Sequence, residues 1–291
     1  MTDVRTPKHA APGPPARART SALPPAQVRE TRVAGPVPRY EIPGWRERFG
    51  VIAGITGRGE APGSSDGKGT EAVAAGFDLG LWTSEPVGDV MRRWRSFRHA
   101  EPGFSAHIMA HQVHGGEVAW HDAARGWTIL EGVDGHLTAR AGTLLLVTVA
   151  DCIPIYLVAP RQRGVALLHA GWRGTAAGIL GRGVAELTGR LGCAPEEIAL
   201  HCGVGICGAC YEVGAEVMSG CGVPHEGVGP WRLDLRERLA DEGSRLGIRD
   251  ISVSTWCSAH DRPAFYSHRA SQGADGRMVA YLGFPVLADA G

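Results

Sequence analysis

The chain has 291 residues, enough to bury a large core as one large domain or two small ones. Its 30 Lys and Arg balance its 30 Asp and Glu, so there is no global electrostatic case for nucleic acid or an anionic membrane as a partner. No apolar run reaches the roughly 18–20 residues needed to span a bilayer. Seven cysteines, an odd number without a signal peptide, point to free thiols in a reducing cytoplasm.

Residues 1–39 are rich in Pro, Ala and Arg and contain no aromatic residue. They cannot bury enough apolar surface to offset ordering entropy, so a disordered tail is expected there, ahead of a folded domain at 40–291. The dense prolines argue against the amphipathic helix of a transit peptide. Residues 51–56 read as a strand, and 57–69, packed with Gly, Ser and charge, as a loop. Helical spacing of Val90, Met91, Trp94 and Phe97 predicts a helix over 87–99. Residues 106–113 read as a strand delivering His114 at its end. The run 143–149 is continuously apolar and β-branched, as in a strand buried on both faces, and 155–159 continues it after Pro154. Residues 164–169 form another buried strand with His169 at its end. Helices are expected at 175–191, 211–218 and 233–246, and strands at 198–202, 251–254 and 278–282. No internal repeat is present.

Three segments carry the chemistry: Gln112-Val113-His114-Gly115, Asp151-Cys152-Ile153-Pro154 and His169-Ala170-Gly171-Trp172-Arg173-Gly174. Together they offer two imidazoles and one thiol. That set can hold a catalytic zinc, because three protein ligands leave a fourth position for water or substrate. It can equally form a Cys/His nucleophilic site, since a thiol becomes useful beside a base. Against these stand plainer readings: a strand-end histidine is usually a hydrogen-bonded structural residue, and a buried thiol a small hydrophobe. Arg173 reads as a helix cap or as an anion contact. Arg58 lies between Gly57 and Gly59, where backbone can approach a ligand, or in a solvated loop. The spacing Cys202-x4-Cys207-x2-Cys210 equals the opening of a plant-type iron–sulfur motif, with Cys221 or Cys257 available as a fourth ligand, although spacing alone is a weak signal.

The order Gln-Val-His-Gly, Ala-Asp-Cys-x-Pro, His-Ala-Gly-Trp-Arg-Gly, Cys-Tyr-Glu-Val-Gly, Phe-x-Ser-x-Arg and Gly-Arg resembles the laccase-domain family. Its members have been called polyphenol oxidases, peptidoglycan-editing factors and purine nucleoside phosphorylases. The resemblance runs from about Gly54 to Leu282, and Gly54-Ile55-Thr56-Gly57-Arg58 and Phe77-Asp78-Leu79-Gly80 extend it upstream. Two segments depart from the family pattern: Gly203-Val204-Gly205-Ile206 and Ser267-His268-Arg269-Ala270. The resemblance implies an α+β fold, a four-layer α/β/β/α sandwich of two mixed sheets. It implies zinc at His114, Cys152 and His169, with copper less favoured because no methionine pattern suggests an axial ligand. Convergence on one ion requires ligating atoms within about 4 Å of one another.

The implied activity is phosphorolysis of adenosine, inosine, guanosine or methylthioadenosine, together with deamination of adenosine. Cys152, His169 and Asp151 would be catalytic, Asp151 orienting a ligand. Arg58, Arg173 and Arg269 are the candidate contacts for nucleoside and phosphate. Three other readings remain: a Cys/His hydrolase acting on a cell-wall precursor amide with Cys152 as nucleophile and His169 as base, a copper-dependent phenol oxidase, and a non-enzymatic binding protein.

Overall fold

The computed structural model describes residues 24–59 and 76–286. Most of the glycine-rich loop expected at 57–69 lies outside these residues, as do positions 1–23 of the expected tail. In chain order the strands are β1 (Ala26–Val28), β2 (Thr31–Val33), β3 (Arg39–Glu41), β4 (Ile52–Thr56), β5 (Ala106–His111), β6 (Val118–Trp120), β7 (Gly126–Glu131), β8 (Gly135–Thr138), β9 (Thr143–Val149), β10 (Ile153–Ala159), β11 (Gly164–Ala170), β12 (Ala199–Cys202), β13 (Glu212–Val213), β14 (Trp231–Arg232), β15 (Asp250–Ser254) and β16 (Met278–Gly283). The helices are α1 (Trp45–Phe49), α2 (Val87–Ala100), α3 (Trp172–Ala176), α4 (Ile179–Leu191), α5 (Ala215–Gly220) and α6 (Leu235–Arg245).

Two mixed seven-stranded sheets result, one ordered β1-β15-β12-β10-β11-β8-β6 and the other β2-β3-β4-β16-β9-β5-β7. Side-chain alternation along each strand explains how they stack. On β9, Leu145, Val147 and Val149 join Tyr156, Val158, Val165 and Leu167 of the other sheet in one buried cluster between the sheets. Leu144 and Leu146 face the other way, onto Val90, Trp94 and Phe97 of α2. On the far side Ile155, Leu157, Ala166 and Leu168 pack against Ile179, Leu180 and Val184 of α4 and Leu235 and Leu239 of α6. The order is therefore helix, sheet, sheet, helices. Strands buried on both faces account for the unbroken apolar runs.

Three expected elements change. The run 143–159 is not one continued strand: β9 belongs to one sheet and β10 to the other, so the chain crosses between sheets at Ala150-Asp151-Cys152. The helix expected at 175–191 is two helices, broken at Gly178, whose φ of 75° is a conformation that glycine adopts without steric cost. Residues 211–213 are extended rather than helical, because β13 pairs with β14 ahead of α5.

The tail boundary also moves. Residues 24–39 are not disordered: β1 runs parallel to β15 at the edge of one sheet, and β2 pairs antiparallel with β3 at the edge of the other. Between them Glu30 is buried. Its carboxylate meets His201 Nε2 at 3.0 Å and accepts from Ser254 Oγ at 2.7 Å, and its carbonyl accepts from Trp256 Nε1 at 3.0 Å. The segment thus ties the two sheets together. Glu30→Ala leaves His201 and Ser254 buried without that partner, which costs about 1–3 kcal/mol. A melting temperature lower by roughly 3–10 °C is expected in thermal unfolding. An unchanged melting temperature would show that the tie contributes nothing.

Candidate metal centre

Antiparallel pairing of β10 with β11 sets Ile153 opposite Ala170 and Pro154 opposite His169. Cys152, at the sheet crossing just before β10, is thereby delivered beside His169. His169 shares the parity of Val165 and Leu167 and so hangs from the inward face at the end of β11. His114 comes from the other sheet, on the loop after β5. Gln112 fixes that loop to β9: its Oε1 accepts from Thr148 N at 2.7 Å and its Nε2 donates to Thr148 O at 3.0 Å.

The three ligand atoms of His114, Cys152 and His169 lie within 4.8 Å of one another. The imidazole rings of His114 and His169 meet edge to face, with centroids 4.8 Å apart. His114 (φ 61°) and Asp151 (φ 90°) both hold left-handed backbone that non-glycine residues seldom adopt. Such strain persists where surrounding structure enforces it, and it clusters at functional sites. Gly171 closes the cluster on one side. A Cβ there would come within 2.9 Å of Cys152 Sγ, so no larger residue fits without displacing the thiol.

Asp134, which the sequence does not single out, organises the centre. It is fully buried. Its carboxylate accepts from the backbone N–H of His114 at 2.9 Å and Gly115 at 2.7 Å, and it meets His169 Nδ1 at 3.0 Å. These donors outweigh the upward effect of burial and hold its pKa below the usual carboxylate value. With Nδ1 engaged, Nε2 of His169 is the nitrogen left for a thiol or a metal. Burial alone would raise the Cys152 thiol, but facing His169 and hydrogen bonds from His114 and His169 bring it down to about 6. The converse holds for His169, where burial lowers the value but Cys152 and Asp134 push it up to about 9. The two shifts have one cause, the thiol and the imidazole facing each other, and both favour the thiolate–imidazolium form of the pair.

The Asp151 carboxylate bonds the loop at 258–269, and none of its hydrogen bonds goes to His114, Cys152 or His169. It accepts from Ser258 Oγ at 2.6 Å and from Arg269 N at 2.6 Å. The carboxylate in contact with a candidate ligand is instead that of Asp134, which meets His169 Nδ1 at 3.0 Å.

A cleft of about 530 Å³ opens over the cluster, well within the size of small-molecule sites. Arg173 and Arg269 line it, and so does Arg277, which sequence reasoning passed over. Arg58 does not. It lines a neighbouring cavity, where it pairs with Asp275 at 3.1 Å. Trp82, Thr83 and Arg277 border both cavities. Trp82 is 52 % exposed and stacks on His111, with centroids 4.5 Å apart. An exposed, pre-oriented indole at a cleft mouth is a platform for a planar ligand. Its signal in the sequence is slight, a lone Trp between Leu81 and Thr83.

Residues 63–285 match the profile of the family described as "Multi-copper polyphenol oxidoreductase laccase". The chain is 34% identical over 255 residues to "Purine nucleoside phosphorylase YlmD" of Geobacillus stearothermophilus, covering 80% of this chain and 90% of the relative. A crystal structure of YlmD from that organism superposes with a TM-score of 0.75 at 30% identity, covering 87% of this chain and 98% of that one. A "Purine nucleoside phosphorylase" of Deinococcus radiodurans is 38% identical over 193 residues, 63% of this chain and 73% of the relative. "Adenosine deaminase RL5", from an unknown prokaryotic organism, is 34% identical over 152 residues, 48% of this chain and 58% of the relative. With the profile matched across most of its length and the sandwich fold shared, the chain belongs to the laccase-like family of multi-copper polyphenol oxidoreductases.

Proposed function

We propose that the protein is a zinc-dependent purine nucleoside phosphorylase that also deaminates adenosine. The observation that supports this reading most is the convergence of two imidazoles and one thiol from both sheets at the floor of an arginine-lined cleft. The donor set suits zinc: borderline-soft, with nitrogen and thiolate ligands and a fourth position open. Zinc at His114, Cys152 and His169 would supply a Lewis acid to the reacting substrate. Copper of the blue type is disfavoured, since no methionine lines the cleft among the described residues.

The chain's own groups divide the rest of the work. Arg173, Arg269 and Arg277 bring fixed cationic donors to the cleft, suited to a phosphate dianion. Asp151 is a positioning residue, holding the backbone of Arg269. Trp82, backed by His111, stacks a purine. Asp134 keeps His169 in the tautomer that presents Nε2. In phosphorolysis a phosphate oxygen bonds to the anomeric carbon of the ribose as the glycosidic C–N bond breaks, and the base leaves with the electron pair. In deamination water adds at the purine six-position and ammonia departs. Seven free thiols suit a reducing compartment, which we take to be the cytoplasm.

Purified protein incubated with adenosine and phosphate is expected to yield adenine with ribose 1-phosphate, and inosine with ammonia, on chromatography. Both should stop on chelation and return with zinc. No conversion by metal-replete protein would refute the assignment. One feature favours a second reading, amide hydrolysis of a cell-wall precursor: a thiol held at about 6 beside His169 is a competent nucleophile without metal. Turnover of such an amide by chelated protein would establish that reading instead.

A further inference from the structure

A second cluster of potential metal ligands stands apart from the cleft. Cys207 and Cys210 form one Cys-x-x-Cys turn, and Cys257 and His260 form a Cys-x-x-His turn. Their four ligand atoms lie within 4.8 Å of one another. The iron–sulfur spacing at the sequence level included Cys202, with Cys221 or Cys257 as the fourth ligand. Cys202 and Cys221 instead belong to the apolar cluster beneath α4 and α6, and His260 completes the set.

The local backbone is built to bring the two turns together. The N–H groups of Cys210 and Tyr211 both donate to Cys207 O at 3.0 Å, which closes the first turn. Asp261 N donates to Cys257 O at 3.0 Å and its carboxylate takes Cys257 N at 2.9 Å, which closes the second. A parallel bridge joins Gly205 to Cys257, and Ser258 N donates to Gly205 O at 3.0 Å. The distances from the imidazole to two of the sulfurs are those of a ligand shell. His260 Nδ1 is 3.4 Å from Cys210 Sγ and 3.7 Å from Cys207 Sγ. A tetrahedron with Zn–S near 2.3 Å and Zn–N near 2.0 Å has edges of roughly 3.5–3.8 Å. His260 Nε2 lies 3.6 Å from Asp261 Oδ2, which leaves Nδ1 facing the sulfurs. Cys207 N donates to Cys257 Sγ at 3.4 Å, a contact that favours thiolate. Buried Arg236, paired with Asp234 at 2.8 Å and bonded through its guanidinium to the carbonyl of Trp256, lies beside this group.

We propose that Cys207, Cys210, Cys257 and His260 hold a structural zinc ion, separate from the centre in the cleft. Four protein ligands leave no open position, so this ion has no substrate. Its effect reaches the cleft through sequence neighbours. Tyr211, next to Cys210, lines the cleft, and Ser258, next to Cys257, donates to the Asp151 carboxylate. The ion clamps together the two loops that carry these groups.

The test uses the full chain with the first centre removed by His114→Ala and Cys152→Ser, so that any remaining metal belongs to the second. This background is expected to retain about one equivalent of zinc per chain by elemental analysis. Adding His260→Ala, at an exposed position, should abolish retention through dialysis and lower the melting temperature by roughly 5 °C or more. His260→Cys, which restores four ligands, should keep the ion. Cobalt loaded into the background should show an intense near-ultraviolet thiolate charge-transfer band and the visible bands of tetrahedral coordination. Absence of metal from the background, retention undiminished by His260→Ala, or a mass loss of two hydrogens marking a disulfide within the cluster under reducing purification would each overturn the proposal. Iron with a brown chromophore would overturn the choice of zinc.

Discussion

Cys152→Ser is expected to reduce nucleoside turnover by about 10³-fold or more while leaving the melting temperature within a few degrees of the parent. Serine is nearly isosteric with cysteine, so it fits the space that Gly171 leaves beside Sγ. A hydroxyl is nonetheless a poor zinc ligand and a weak unassisted nucleophile. Turnover and unfolding should therefore separate in this variant. The substitution alone does not distinguish a metal from a covalent mechanism, because both lose Cys152. His114→Ala with a chelator control does. In the zinc mechanism His114 is a ligand, so its removal and metal removal should each stop phosphorolysis and deamination. In the hydrolase mechanism the Cys152–His169 pair suffices, and metal-free His114→Ala would still turn over and form a covalent adduct. Full nucleoside activity in metal-free parent protein would refute the metal mechanism for either reaction.

The candidate cluster was partly legible because its residues terminate or interrupt conspicuous apolar strands. His169 ends β11, and Cys152 sits where β9 gives way to β10. The layer order came only from resemblance, since alternating strands and helices also suit a three-layer fold. Residues 24–39 defeated the composition argument. A short edge strand such as β1 or β2 needs little apolar surface of its own, because it borrows hydrogen bonds from a sheet already built. Glu30 is then a lone acid in a polar stretch, and nothing in its neighbours announces that it will be buried against His201. Asp134 was hidden for a similar reason. It lies in Glu131-Gly132-Val133-Asp134-Gly135, which reads as an ordinary turn, and its partners His114 and His169 are distant in sequence. Asp151 drew the ligand-orienting role through adjacency to Cys152, but its left-handed backbone turns its carboxylate to Ser258. The second cluster was half visible as Cys-x-x-Cys. Its other half is a Cys-x-x-His turn on a loop far along the chain, and the sheet order alone brings Cys257 beside Gly205.

Asp134→Asn should weaken metal binding at the cleft by about 10–100-fold, the range typical when a residue behind a histidine ligand is altered. The carboxylate receives four donors: Val113 N at 3.3 Å, His114 N at 2.9 Å, Gly115 N at 2.7 Å and His169 Nδ1 at 3.0 Å. An amide of the same shape has one acceptor oxygen and sets its NH₂ against one of these N–H groups. Either His169 loses its orienting partner or the loop at 113–115 does, and both carry a ligand. Burying mismatched donors costs about 1–3 kcal/mol, so the melting temperature should fall by roughly 3–10 °C. The pH dependence has a definite sign. The folded carboxyl has a pKa below its unfolded value, so it contributes stability above the unfolded value of about 3.8, and that stability is lost as pH falls through the folded value. Asp134→Asn removes this contribution, and the difference in stability between variant and parent should narrow on acidification below about pH 4. Two readings separate the metal effect from the packing effect: zinc affinity by chelator competition, and melting of the metal-free forms. Native affinity in the folded variant would place the orientation of His169 elsewhere. A lower affinity with activity restored by excess zinc would show that Asp134 acts by positioning the ligands and takes no part in the bond-breaking step.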